Sequence, residues 1–291
     1  MFELLSLTKR NIKVFIKDKT TVFFSLLSAI IMLALYFMFL GNLYVEGFGD
    51  LLDGKIVTYL KYSQMLGGVL VINTISLSLG ALGGLVSDIE SKRIDSILSS
   101  PVKRYKVTLG YYFSSITISS IINICLWLIG VVFVGISSSY WYPVETIFQV
   151  IGILLLFAFI STSIVLLIAT FIKSTNAFGA ITGVLGTFIA FISGIYMPYV
   201  TLSNVVKNIG SAFPFTHMTI WLKRVILVNP LGIANMPAEG LESLNRGFGI
   251  EDVGLFGANV PLPALILIGC GTAVIAFALS VYRMSKKMAQ K

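Results

Sequence analysis

Asp88-Ile-Glu-Ser-Lys-Arg-Ile-Asp-Ser-Ile-Leu-Ser-Ser-Pro-Val-Lys-Arg-Tyr-Lys106 gathers three acids and five bases into nineteen residues. Twenty-six residues without a charge precede it, Tyr62 to Ser87, and thirty-eight follow it, Val107 to Val144. Each flank exceeds the ~20 apolar residues that cross a hydrocarbon core. A short charged helix between two spans sits at a bilayer surface, where a soluble partner can push on it. The expectation is a membrane device driven from outside its own sequence.

Working outward, the 291 residues are 56% hydrophobic and 12% charged, against about 25% charged in soluble domains. The chain reads as a single all-α membrane permease domain over residues 1–291. Six apolar segments are predicted as transmembrane helices, at about 20–45, 62–87, 107–135, 146–172, 174–196 and 261–282. The first is too long for a signal-peptide core of roughly 7–15 residues, so it is read as a true span. Cys125 and Cys270 both lie in apolar runs and are read as packing residues. A single histidine excludes a histidine-based metal cluster.

Six spans put both termini on one side, and the basic residues choose the side. With the termini cytoplasmic, fifteen of the twenty-one Lys and Arg lie inside, and the net charge is +10 inside against −2 outside. The positive-inside rule therefore predicts a multi-pass plasma-membrane protein with cytoplasmic N- and C-termini. The basic balance reports orientation, and no nucleic-acid partner is expected. Tyr140, Trp141 and Tyr142 fall where the third span meets the outer interface, as an aromatic belt would.

Two segments outside the spans are informative. Residues 1–19 form an amphipathic pattern, with Leu5, Ile12, Phe15 and Ile16 at helical spacing and Lys9, Arg10, Lys13 and Lys17 supplying charge. This reads either as an interfacial helix lying on anionic lipid or as a plain basic topology signal. Residues 198–260 are too long for a simple loop. Their apolar piece, Phe213 to Val228, contains Lys223 and Arg224, each costing roughly 2.5–3.5 kcal/mol at a span centre. Pro214 and Pro230 also limit any helix there. An extracytoplasmic re-entrant or helical hairpin after the fifth span is predicted, followed by an external loop over 229–257.

No energy source is found in the chain. Gly49 to Lys55 nearly spells a phosphate-binding loop, but Ile56 stands where a magnesium-binding Ser or Thr belongs, and Asp50 and Asp53 repel phosphate. The predicted spans hold essentially no ionisable residue of the kind an ion-coupled transporter uses. Asn73, Asn123 and Asn176 read as helix–helix glue. Glu145 reads as wet at a span edge and His217 as a satisfied interfacial side chain. Gly80-xxx-Gly84 and Gly179-xxx-Gly183 read as close-packing positions, within the chain or across a dimer.

This layout resembles the type-2 ABC transporter permease, the membrane subunit of a bacterial exporter. An amphipathic basic helix precedes the first span. Glu90 and Arg93, then Ser99-Ser100-Pro101-Val102 with Lys103-Arg104, look like the family's charged helix and its Ser-Pro-Val-basic step. Ser193-Gly194-Ile195-Tyr196-Met197-Pro198, then Phe213 to His217 and Trp221 to Arg224, look like its outer hairpin region. The chain departs at Ile94-Asp95, where many members have Gly-Thr, and at Tyr111, where Lys is common.

The resemblance implies a second permease copy or a related permease. It also implies cytoplasmic ABC ATPase subunits, which would bind ATP and Mg. Residues 88–106 would be the coupling loop, with Glu90, Arg93 and Asp95 contacting an ATPase groove and Pro101 ending the helix. Lys103 and Arg104 would belong to the same ATPase-coupling set or, with Lys106, hold anionic headgroups instead. The same residues also fit a plain solvated charged loop. The expected function is ATP-driven export of an amphiphilic or hydrophobic substrate such as a drug, antimicrobial peptide or lipid, with no catalysis in this chain. An ATPase-independent transporter or channel and a non-transporting scaffold or sensor subunit are the competing classes.

Overall fold

The computed structural model describes residues 2–36, 38, 52–99, 102–196, 201–250, 256 and 260–289. Its regular elements are all helices: α1 (Phe2–Lys17), α2 (Lys19–Leu35), α3 (Gly54–Glu90), α4 (Arg93–Leu98), α5 (Arg104–Ser138), α6 (Val144–Phe171), α7 (Thr175–Ile192), α8 (Asn204–Ser211), α9 (Pro214–Ala234), α10 (Ala238–Phe248) and α11 (Leu262–Ala289). Among the described residues five helices are long and apolar enough to cross a membrane: α3, α5, α6, α7 and α11. The predicted first span, 20–45, is described as helix over Lys19–Leu35, and its residues 37 and 39–45 lie outside the described residues.

α3 is the axis. It packs against α2, α5, α6, α7 and α9, and Tyr59, Leu70, Ile72 and Leu82 on it are fully buried. Its 37 residues extend about 55 Å at 1.5 Å per residue, so it overshoots a hydrocarbon core of ~30 Å. Small residues set the closest approaches. A Cβ at Gly110 of α5 would stand 2.8 Å from Leu7 Cβ, which lets α1 lie against α5, and Gly80 of α3 gives the same room to Ser25 of α2. The Gly80/Gly84 pair is thus split in use, because a Cβ at Gly84 would meet nothing within 4 Å, nor would one at Gly179 or Gly183.

Hydrogen bonds join the apolar helices. Asn73 Nδ2 donates to Asn123 Oδ1 at 2.8 Å, and Asn123 Nδ2 donates to Thr74 Oγ1 at 2.8 Å. Ser78 meets Ser161 at 2.9 Å and Tyr112 meets Ser163 at 2.9 Å. These hydroxyls and amides bond a neighbouring helix where no water competes, although Asn73 Oδ1 is left without a partner. Asn176, by contrast, is exposed on α7. At the far end Tyr142 is buried and hydrogen-bonds Ser63 at 2.5 Å, while Trp141 alone of the aromatic trio is largely exposed.

Several boundaries differ from the sequence reading: α3 starts at Gly54, well before Tyr62, and α11 runs on to Ala289, past Tyr282. The predicted fifth span, α7, ends at Ile192, before Pro198, because Gly194 takes a left-handed conformation that stops it. α9 runs 21 residues through both prolines: Pro214 occupies the first turn, where a missing N–H costs nothing, and Pro230 falls near the end. The stretch 229–257, read as a loop, contains α10, whose Leu244 and Phe248 are buried one turn apart before left-handed Gly249 ends the helix.

Candidate functional site

The charged segment is where four elements meet. α3 ends at Glu90 and the chain turns at Lys92, a non-glycine residue with φ 58°, before α4 starts at Arg93. Such a left-handed residue costs on the order of 1–2 kcal/mol and persists only where packing demands it. Here Ile94 inserts into the core at 2% exposure, anchoring α4. The departure at Ile94 is therefore an apolar peg.

Asp88, in the last turn of α3, is buried and collects two hydrogen-bond donors and one longer ion pair. Arg10 Nη1 of α1 lies 2.8 Å from Oδ2, and the Tyr111 hydroxyl of α5 donates to the same oxygen at 2.5 Å. Arg93 Nη1 of α4 stands 3.7 Å from Oδ1. Arg10 also donates to Asn11 Oδ1 at 2.9 Å and to Tyr111 Oη at 3.1 Å. A carboxylate removed from water is stable only when paired and hydrogen-bonded. These donors meet that demand, and the departure at Tyr111 supplies one of them.

Two further ties leave this cluster. The Glu90 carboxylate accepts from the Thr175 N–H at 2.9 Å and from its hydroxyl at 2.6 Å, placing negative charge at the N-terminus of α7, where the helix dipole favours it. Lys106 Nζ donates to Glu3 Oε2 at 2.8 Å, and this ammonium holds the Glu3 carboxyl below its usual range. Asp18, between α1 and α2, accepts from the Thr21 hydroxyl at 2.7 Å and N–H at 3.0 Å. Those bonds depress its pKa and start α2.

The expected site residues separate into groups. Arg93 joins the Asp88 cluster while remaining 68% exposed along its side chain. Glu90 is exposed but spent on Thr175. Asp95, Lys103 and Arg104 line a second cleft of about 760 Å³ with Ser285 and Met288 of α11. Pro101 lies outside the described residues. On α1, Lys9, Lys13 and Lys17 are exposed beside Phe2, Leu5 and Ile16, whereas Arg10 turns inward. Asp88, Tyr111, Asn11 and Thr175 were not anticipated. The one sequence signal for Asp88 was its place at the border between an uncharged run and the charged segment.

At the opposite end of α3, Lys223 of α9 is 3% exposed. Its Nζ donates to the Gly194 carbonyl at 3.1 Å and the Phe248 carbonyl at 3.4 Å, and Gln64 Nε2 donates to the same Phe248 oxygen at 3.1 Å. Gly67 makes room for it, since a Cβ there would stand 2.8 Å from Lys223 Cγ. His217 Nε2 bonds the Ser211 carbonyl at 2.8 Å, but its Nδ1 is buried without a partner, so the side chain expected to be satisfied is satisfied at one ring nitrogen only. No group of three or more metal-ligating side chains occurs among the described residues.

No curated protein matches this chain. The family model described as ABC-2 type transporter matches residues 3–227, more than half of the chain, and the chain belongs to that family.

Proposed function

We propose that this ABC-2 type transporter chain is the permease subunit of an ATP-driven exporter, energised by separate cytoplasmic ATPase subunits and paired with a second permease copy or a related permease. ATP and Mg are held by the ATPases. The chain crosses the membrane six times, with α2 opening the first span, cytoplasmic termini, and α8–α9 as an extracytoplasmic hairpin. α4 is the coupling helix. Its cargo is amphiphilic or hydrophobic, in keeping with the apolar cavity of about 180 Å³ lined by Leu79, Ile168, Ile189 and Phe215.

The observation that carries this reading is the wiring of α4. Through Asp88 a push on Arg93 or Ile94 reaches α1, α3 and α5, and through Glu90 it reaches α7. A two-state device needs contacts that differ between its states, and ion pairs between separate helices can exchange partners where backbone bonds cannot. Lys9, Lys13 and Lys17 supply attraction to an anionic leaflet, about 1 kcal/mol each near the surface.

The test is co-purification with a co-expressed ABC ATPase, followed by transport and ATP hydrolysis in vesicles. Wild type is expected to capture the ATPase, and Arg93→Glu to lower transport with the chain still folded. A permease that captures no ATPase, together with an Arg93→Glu variant that transports normally, would overturn the reading. Screening drugs, peptides and lipids for stimulated ATP hydrolysis identifies the cargo class.

A further inference from the structure

A cavity of about 370 Å³ opens between α1, α3 and α7 at the α4 end, and the ties made by Asp88 and Glu90 do not fill it. Its wall on α3 is Gly80, Gly83, Gly84 and Ser87, one face of the helix at i, i+3, i+4 and i+7. Gly84, and Gly179 on α7, border open space rather than a neighbour. Within the single chain, then, two of the glycines expected to bring helices together leave a volume open. Phe15 and Phe178 give it an apolar side.

Its polar rim has a surplus of donors. Asn11 is 8% exposed; its Oδ1 is taken by Arg10, and its Nδ2 has no partner. An unmet buried amide N–H is costly and calls for an acceptor. Arg93 reaches the same rim, exposed and only loosely paired. The two acids on the rim are already occupied, Asp88 by Arg10 and Tyr111, and Asp18 by Thr21. What the cavity lacks is an oxyanion that accepts from Asn11 and Arg93, attached to an apolar body that lies along the glycine wall.

We propose that this cavity binds the phosphate-bearing headgroup of an anionic lipid, which fastens α1 to α3 and α7 beside α4. The proposal rests on the exporter reading only in taking this end to face an anionic leaflet. It does not require an ATPase or transport, so the two can fail separately.

The test uses the purified full chain, measuring retained lipid by native mass spectrometry and apparent Tm on adding phosphatidylglycerol, phosphatidylcholine or inorganic phosphate. Phosphatidylglycerol is expected to be retained about tenfold better than phosphatidylcholine, whose phosphate offers the same acceptors but whose quaternary ammonium would be brought beside Arg10 and Arg93, and to raise Tm. Asn11→Asp and Arg93→Gln should each abolish that preference. Gly84→Leu, whose side chain enters open space, should remove lipid while helix content by circular dichroism is kept. Equal retention of the two lipids, or an unchanged preference in both Arg93→Gln and Gly84→Leu, overturns the proposal. Inorganic phosphate that raises Tm and displaces phosphatidylglycerol at millimolar concentration shows a free-anion site and overturns the lipid assignment.

Discussion

At the α4 end of α3, Asp88 is held by side chains from α1, α4 and α5. At the far end, Lys223 is held by backbone carbonyls and seated on Gly67. Both are ionisable groups withdrawn from water, and burial pushes the Lys223 pKa down to about 7. A carboxylate gripped by long side chains can change partners when a helix moves, since each rotamer has alternatives. A lysine gripped by the ends of α7 and α10 has no such choice unless those helix ends move too. The contrast is what a lever with a fixed far end requires, and it makes the α4 end the place where mutation should change motion as well as stability.

The sharpest way to break this comparison is Asp88→Ala. It leaves Arg10 without its buried acid, and breaking such a pair costs about 3 kcal/mol. A large drop in apparent Tm and faster proteolysis within α1 are expected. Next is Gly67→Leu, which drives a side chain into Lys223 and should cost about 2 kcal/mol by overpacking. Thermal denaturation with protection mapping by hydrogen exchange should show the loss centred on α9.

Lys223→Met should be milder, within about 1 kcal/mol, because removing a desolvated amine offsets the two hydrogen bonds lost. If denaturation shows Lys223→Met to be worse than Asp88→Ala, the far end is the more dependent on its charge and the comparison fails. The smallest effect is expected for Glu3→Gln. Glu3 is half-exposed, and its carboxyl is depressed by its hydrogen bond with Lys106 and by that ammonium's charge. A depressed acid contributes fully above its unfolded value and loses the contribution as pH falls through the folded one. The Tm difference between wild type and Glu3→Gln should therefore shrink with acidification below the usual carboxylate range. A difference that stays constant across that pH series would show that the Glu3–Lys106 pair adds nothing.

Much of the helical layout was legible because hydrophobic runs and charge borders are properties of the chain itself. The interval 88–106 was located from its charge alone, and α1 from the spacing of Leu5, Ile12 and Ile16. Helix ends were less legible. Pro198 looked like the stop of the fifth span, but Gly194 comes first, and α9 continues past Pro230 although a proline inside a helix forfeits its bond to the carbonyl four residues back. Within the site, Arg93 and Glu90 stood out as charges, but nothing distinguished Glu90's bond to Thr175, eighty-five residues away. Arg10 was indistinguishable from Lys9 and Lys13 until the helix had a neighbour.

By itself, then, the sequence determined that this is an apolar helical protein with a charged hinge between two long spans, because burial preference and helical period are written residue by residue. It also contained the charge asymmetry from which an orientation can be proposed. Only the tertiary structure decided which charges turn inward, that Tyr111 and Arg10 meet at Asp88, that Gly80 packs while Gly84 borders a cavity, and that Lys223 closes the far end. Pairing energies depend on distances between segments far apart in the chain, and those distances exist only once the helices have packed.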